Sequence, residues 1–99
     1  MVITLADTAI RWTETSLVTF TFSEAIIGFT NSDLIIQNGT LTAVTSSNGG
    51  VTWTATFTPT AGINDATNLI SLNLSLIADL AGNAGSGTTS SNNYAINTL

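Results

Sequence analysis

Residues 51–58 read Val-Thr-Trp-Thr-Ala-Thr-Phe-Thr, so Val51, Trp53, Ala55 and Phe57 hold the odd positions and threonine holds every even one. In an extended chain this alternation places all the apolar side chains on one face, whereas a helix would scatter them around its circumference. β-branched and aromatic residues also favour a pleated strand. Pro59 closes the segment, because it brings no N–H to a ladder. A strand with one dry face needs other strands to cover it.

The rest of the chain supplies them. Residues 2–5, 17–22, 34–37, 40–45, 69–73 and 93–97 are short segments rich in β-branched, aromatic or leucine residues. Val18, Phe20 and Phe22 share one phase, and Leu17 falls in the other with the threonines. Asn38-Gly39 is the strongest hairpin signal, and Asn48-Gly49-Gly50 within 46–50 is a second. Thr30 to Asp33 has the spacing of a capping box and predicts one short helical turn. Residues 6–15, 23–33, 61–66 and 85–92 read as connections. No segment carries a sustained helical period. The expectation is an all-β fold, an immunoglobulin-like antiparallel β-sandwich of about seven strands, formed by residues 1–99 as one domain. A closed barrel is the competing architecture. Trp53, Phe20, Phe22, Phe57 and Tyr94 are the expected core.

Charge and composition exclude whole classes of function. Arg11 is the one basic residue against six acids, a net charge of −5. Nucleic-acid binding depends on cations neutralising phosphates, and a single arginine does not supply them. An anionic membrane surface is excluded on the same ground. The chain has no cysteine and no histidine, so thiolate and imidazole chemistry and soft-metal sites are absent. Its serines have no base to activate them. No apolar run reaches the roughly 18–20 residues of a membrane span, so membrane insertion is not expected. The first residues lack the basic stretch and cleavage site of a signal peptide.

Several stretches in order resemble one known family. They are residues 18–25 (Val-Thr-Phe-Thr-Phe-Ser-Glu-Ala), Gly28-Phe29, Asp33-Leu34 and residues 38–41 (Asn-Gly-Thr-Leu). Residues 53–59 (Trp-Thr-Ala-Thr-Phe-Thr-Pro), 79–83 (Asp-Leu-Ala-Gly-Asn) and 93–96 (Asn-Tyr-Ala-Ile) complete the set. Together they are similar to one repeat of the bacterial Ig-like domains strung in tandem in large biofilm-associated and RTX-type surface adhesins. The resemblance implies a non-catalytic extender at the bacterial cell surface, outside the cell, with neighbouring repeats as its partners. It also implies calcium stiffening the junctions. The chain departs from the pattern at Arg11-Trp12-Thr13, at Ile26-Ile27, at residues 74–77 (Leu-Ser-Leu-Ile) and at Asn97, where many repeats carry aspartate. These departures weaken the calcium implication and point toward an engineered or associating variant.

Two constellations remain open. If the strands alternate up and down, Glu24, Asp33, Asp79 and Asn83 fall at one end of the sandwich. Asp7, Glu14, Asn64 and Asp65 then fall at the other. Calcium takes six to eight oxygens at about 2.3–2.6 Å, more than either group supplies alone. The plainer reading is that these residues cap turns through their own backbone. Glu24 and Asp79 as a glycosidase pair would need a sugar cleft between them, for which the sequence gives no sign. The apolar outliers are Ile10, Trp12 and Leu17 toward one end, and Ile26, Ile27, Leu74 and Leu76 toward the other. They are read either as loops folding back onto the core or as an exposed patch for a partner or a second copy. A ligand-binding or self-associating module using Trp12, Leu17, Leu74 and Leu76 is the alternative function.

Overall fold

The computed structural model describes residues 2–46 and 48–99; Met1 and Ser47, the latter inside the expected 46–50 turn, lie outside the described residues. Short strands run in chain order as β1 (Val2–Leu5), β2 (Ala9–Arg11), β3 (Ser16–Thr21), β4 (Ile26–Ile27) and β5 (Leu34–Ile36). Then come β6 (Gly39–Leu41), β7 (Thr45–Ser46), β8 (Thr52–Pro59), β9 (Asn64–Asn68) and β10 (Ile70–Asn73). The last are β11 (Ala78–Asp79), β12 (Thr88–Ser90) and β13 (Tyr94–Asn97). Two single-turn 3-10 helices, Asn31–Asp33 and Leu74–Leu76, interrupt them.

The fold is an immunoglobulin-like β-sandwich. One layer has the order β1-β3-β8-β6, with β7 also paired to β8. The alternating segment read from the sequence is its centre: β8 pairs antiparallel with β3 from Ser16↔Phe57 to Thr21↔Thr52. The other layer is built from β12-β10-β5 and β2-β13-β9. Successive strands β9 and β10 pair with β13 and β12 respectively, so these two ribbons are halves of one long antiparallel pair. Its edges are β5 and β2, and β2 runs parallel to β13. The first strand segment thus divides, β1 joining one layer and β2 the other.

Phe20, Phe57, Tyr94, Val18, Ile70, Leu72 and Ile96 fill the space between the layers, each at most 1% exposed. Tyr94 packs edge-on against Phe57 across the layers at 5.1 Å. Phe29, placed by sequence in a loop, is buried and joins three aromatic rings. Its centroid lies 5.1 Å from Phe20, 5.6 Å from Phe22 and 5.4 Å from Trp53, all edge-to-face. Such pairs add about 0.5–1.5 kcal/mol each beyond the area they bury. Trp53 is half-buried and donates its indole N–H to the Gly50 carbonyl at 2.9 Å.

The structure corrects several sequence expectations. Asn38-Gly39 is not a hairpin, because β5 pairs with β10 while β6 pairs with β8. The dipeptide carries the chain from one layer to the other. Asn38 takes the left-handed conformation (φ 56), but Gly39 does not. Gly39 is there for room: a β-carbon would strike the Phe57 ring and lie 2.7 Å from the Thr58 carbonyl oxygen. The Asn48-Gly49-Gly50 turn does connect paired strands, β7 and β8, with both glycines at positive φ. The expected connections 6–15, 61–66 and 85–92 contain or enter β2, β9 and β12. These strands are polar or short, so they lack the alternation that marks a half-buried strand. Residues 40–45 form not one strand but parts of β6 and β7, separated at Thr42–Val44. The helical turn expected after Thr30 is present, with the Thr30 N–H donating to Asp33 Oδ2 at 2.8 Å.

Gly39→Ala is expected to destabilise the domain by about 1–3 kcal/mol, as overpacking does in a filled core. Chemical denaturation of the variant beside the parent chain measures it, and an unchanged midpoint would contradict the packing of Gly39 on Phe57.

Candidate functional site

The strand registers place the two chain ends at opposite poles. Val2 pairs with Thr21 at the end where β3 leads into residues 22–25 and where β4 pairs with β11. This is the N-terminal pole. Asn97 pairs with Arg11 and Asn64 at the other end, beside the turn joining β8 to β9. Thr98 is buried there and fixes the chain exit. Its hydroxyl donates to the Thr60 carbonyl at 2.6 Å and accepts from the Ile63 N–H at 3.0 Å. The molecule measures 46 × 25 × 18 Å along its principal axes.

At the N-terminal pole, three of the four expected residues converge. Glu24, Asp79 and Asn83 line the rim of an open groove of about 280 Å3, floored by Phe22, Ile26, Leu74 and Ile77. Asp79 closes the β11 turn on itself. Its Oδ1 accepts the Ala81 N–H at 3.0 Å and the Asn83 N–H at 2.9 Å, and its Oδ2 accepts the Asn83 amide at 3.3 Å. The Asn83 backbone and side-chain donors outweigh desolvation and, with smaller help from the Ala81 N–H and the contact with Glu24, hold its carboxyl below the usual aspartate range. Asp33 is not part of this group and serves the start of its own 3-10 helix.

Toward the C-terminal pole the acids are tied to separate turns. Asp7 Oδ1 accepts the Ala9 N–H at 3.0 Å, and Glu14 Oε1 accepts the Arg11 N–H at 2.8 Å. Asp65 accepts from the Thr67 N–H at 2.9 Å and from the Asn38 amide at 3.0 Å. Among the described residues, no three His, Cys, Asp or Glu side chains gather closely enough to hold a metal ion. Calcium takes about six to eight oxygens, so a site here would have to draw on carbonyls or on oxygens from outside the chain besides these carboxylates.

The apolar outliers divide. Ile10 and Ile26 are buried, and Leu74 packs on the core. Trp12 is 61% exposed, Leu17 50%, Ile27 49% and Leu76 54%. Most large exposed apolar side chains sit at the ends. Val2, Ile27, Leu76 and Leu80 lie at the N-terminal pole and Trp12, Leu17 and Leu99 at the other, leaving Ile35 and Leu69 on the flanks. Trp12 stands on a tight turn closed by the Glu14 N–H on the Arg11 carbonyl at 3.1 Å. The next residue, Thr13, has φ 68, a conformation that a β-branched side chain adopts at a cost of order 1–3 kcal/mol.

One polar cluster escaped the sequence. Asn68 is fully buried where the pairing of β9 with β13 slips register. Its amide donates to the carbonyls of Asp65 at 3.0 Å and Tyr94 at 2.9 Å, while its oxygen accepts from Asn38 at 2.6 Å. Gln37 accepts the Leu69 N–H at 2.7 Å and the Tyr94 hydroxyl, on its carbonyl, at 2.7 Å. No sequence signal marks a buried asparagine, since asparagine beside Thr67 reads as turn.

The chain matches the bacterial Ig-like domain over residues 1–96 and belongs to that family. Comparisons with curated proteins and with solved structures found no match.

Tyr94 gives the cluster a pH signature. Burial, then the nearby Asp65 charge, pushes its phenol from 10.0 up to about 12. The unfolded chain ionises first, so the folded state holds the extra proton between these values, and stability is intact below the lower one. Resistance to denaturant is expected to fall as pH rises from 10.0 to about 12, with phenolate absorbance of the native protein delayed to the upper value. Tyr94→Phe should be weaker at neutral pH yet lose this decline; a phenol titrating normally in the native state would contradict the assignment.

Proposed function

We propose that this bacterial Ig-like domain is a non-catalytic spacer of an extracellular, surface-attached adhesin, joined end to end with neighbouring repeats. The observation that carries this reading is the parallel β2–β13 pair, Ala95↔Ala9 to Asn97↔Arg11, between the chain's two ends. Tension pulls the N-terminus toward one pole and the C-terminus toward the other. It therefore slides β2 and β13 past each other, and their hydrogen bonds are loaded together rather than peeled one by one. The Thr98 contacts, which lie just beyond β13, anchor the pulled end to the turn before β9. The absence of cysteine and histidine from the sequence supports a mechanical over a chemical role.

Calcium enters this reading only through a neighbour. Glu24 and Asp79 offer two carboxylates at the N-terminal pole, and an adjoining domain would have to bring the remaining oxygens. The free chain is accordingly expected to melt at one temperature in millimolar calcium and in chelator. A rise on adding calcium would mean that a single chain completes the site.

Two copies joined in tandem are expected to scatter X-rays as a rod with a long dimension near twice the 46 Å of one domain. A compact, folded-back particle would overturn the spacer reading.

A further inference from the structure

We infer that Trp12 is a key for the groove at the N-terminal pole of a second copy, so that copies of this chain stack head to tail in one polarity. The inference rests on the spacer reading and specifies the contact between successive domains. Trp12 is 61% exposed at the tip of a turn held open by the left-handed Thr13. The indole borders Thr58, Pro59 and Thr98 of its own chain and leaves most of its surface to solvent. The groove of about 280 Å3 between Phe22, Leu74 and Ile77 lies at the opposite pole. It falls just below the roughly 300–1,000 Å3 of small-molecule sites and suits one large side chain.

Local charge beside Trp12 favours the same polarity, although Asp7, Glu14 and Asp65 also lie toward that pole. Arg11, the only basic residue of the chain, directly precedes Trp12 and is exposed. Glu24 and Asp79 stand on the groove rim. An indole entering the groove brings the guanidinium toward these two carboxylates. Glu14, the acid nearest Arg11 in sequence, is turned onto the Arg11 backbone N–H at 2.8 Å. The reverse pairing, pole against like pole, would set carboxylate against carboxylate at the grooved end.

The area decides the strength. An end of 25 × 18 Å offers at most about 450 Å2 per partner, well under the ~800 Å2 of a stable interface. Free copies thus associate weakly, whereas a covalent linker raises the effective concentration to the ~mM range where the contact fills. Because the two surfaces differ, the contact does not close on itself and builds open strings rather than dimers.

Sedimentation of the full chain over rising concentration tests this. The expected result is an average mass that climbs without stopping at a dimer, with Trp12→Ala weakening association at least ~10-fold while circular dichroism and melting stay unchanged. Arg11→Glu and Glu24→Arg should each be monomeric alone, and an equal mixture should associate again, since each then meets an opposite charge. A parent chain that stays monomeric at its highest soluble concentration, association indifferent to Trp12→Ala, or a mixture that stays monomeric would each overturn the contact. The tandem chain separates the two readings. If Trp12→Ala leaves its rod as straight as before, this contact fails alone; if the parent tandem folds back, the spacer reading fails.

Discussion

Where β9 and β13 slip register, a stretch of backbone inside the sandwich loses its ladder partners, and the Asn68 side chain replaces them. Both of its amide hydrogens and its oxygen are used, on Asp65, Tyr94 and Asn38. Buried backbone polar groups left unpaired cost about 1–3 kcal/mol each, so the slip survives only with this substitute. The consequences spread outward. Asn38 is held at the crossing between layers, Gly39 then lies flat on Phe57, and Phe57 meets Tyr94, whose hydroxyl returns to Gln37. One polar junction thereby sets the spacing of the two layers at the C-terminal pole, and an aromatic cluster around Phe29 does so toward the other.

The parts of this fold legible in the sequence are those where one face is dry and the other wet. β3 and β8 announce themselves through Val18, Phe20, Ala55 and Phe57, because period-two burial leaves a period-two pattern. β9 and β12 do not, since Asn64–Asn68 and Thr88–Ser90 carry mostly small or polar residues and are held by pairing rather than by burial. Asn38-Gly39 misled for a more instructive reason. Asparagine and glycine together favour a hairpin when both need positive φ, yet here only Asn38 does, and the glycine answers to a neighbouring ring. Local sequence carries a turn; which sheet the chain enters next is decided by residues far along it.

The pole residues were legible as a group but not in their roles. Up-and-down alternation was enough to bring Glu24, Asp79 and Asn83 together. It also drew in Asp33, which the capping-box spacing assigns to its own helix start, and it missed that Asp65 belongs to the Asn68 cluster. The exposed apolar residues divide in the same way. Ile10 falls inward because β2 joins the second layer, which residues 6–15 give no cue to expect, while Trp12 is turned outward by a single left-handed residue. Chemistry at the ends of the sandwich is therefore a matter of turn geometry more than of composition.

The pairing of β2 with β13 joins residues near the start of the chain to its last strand. During synthesis, when the polypeptide emerges from its N-terminus onward, the second layer lacks that strand until residue 97 is clear. The earlier segments wait with an apolar face uncovered, and pairing β2 with β13 closes a loop almost as long as the domain. The waiting edge is open to any other strand that reaches it first, so faithful folding depends on the chain's own tail arriving in time.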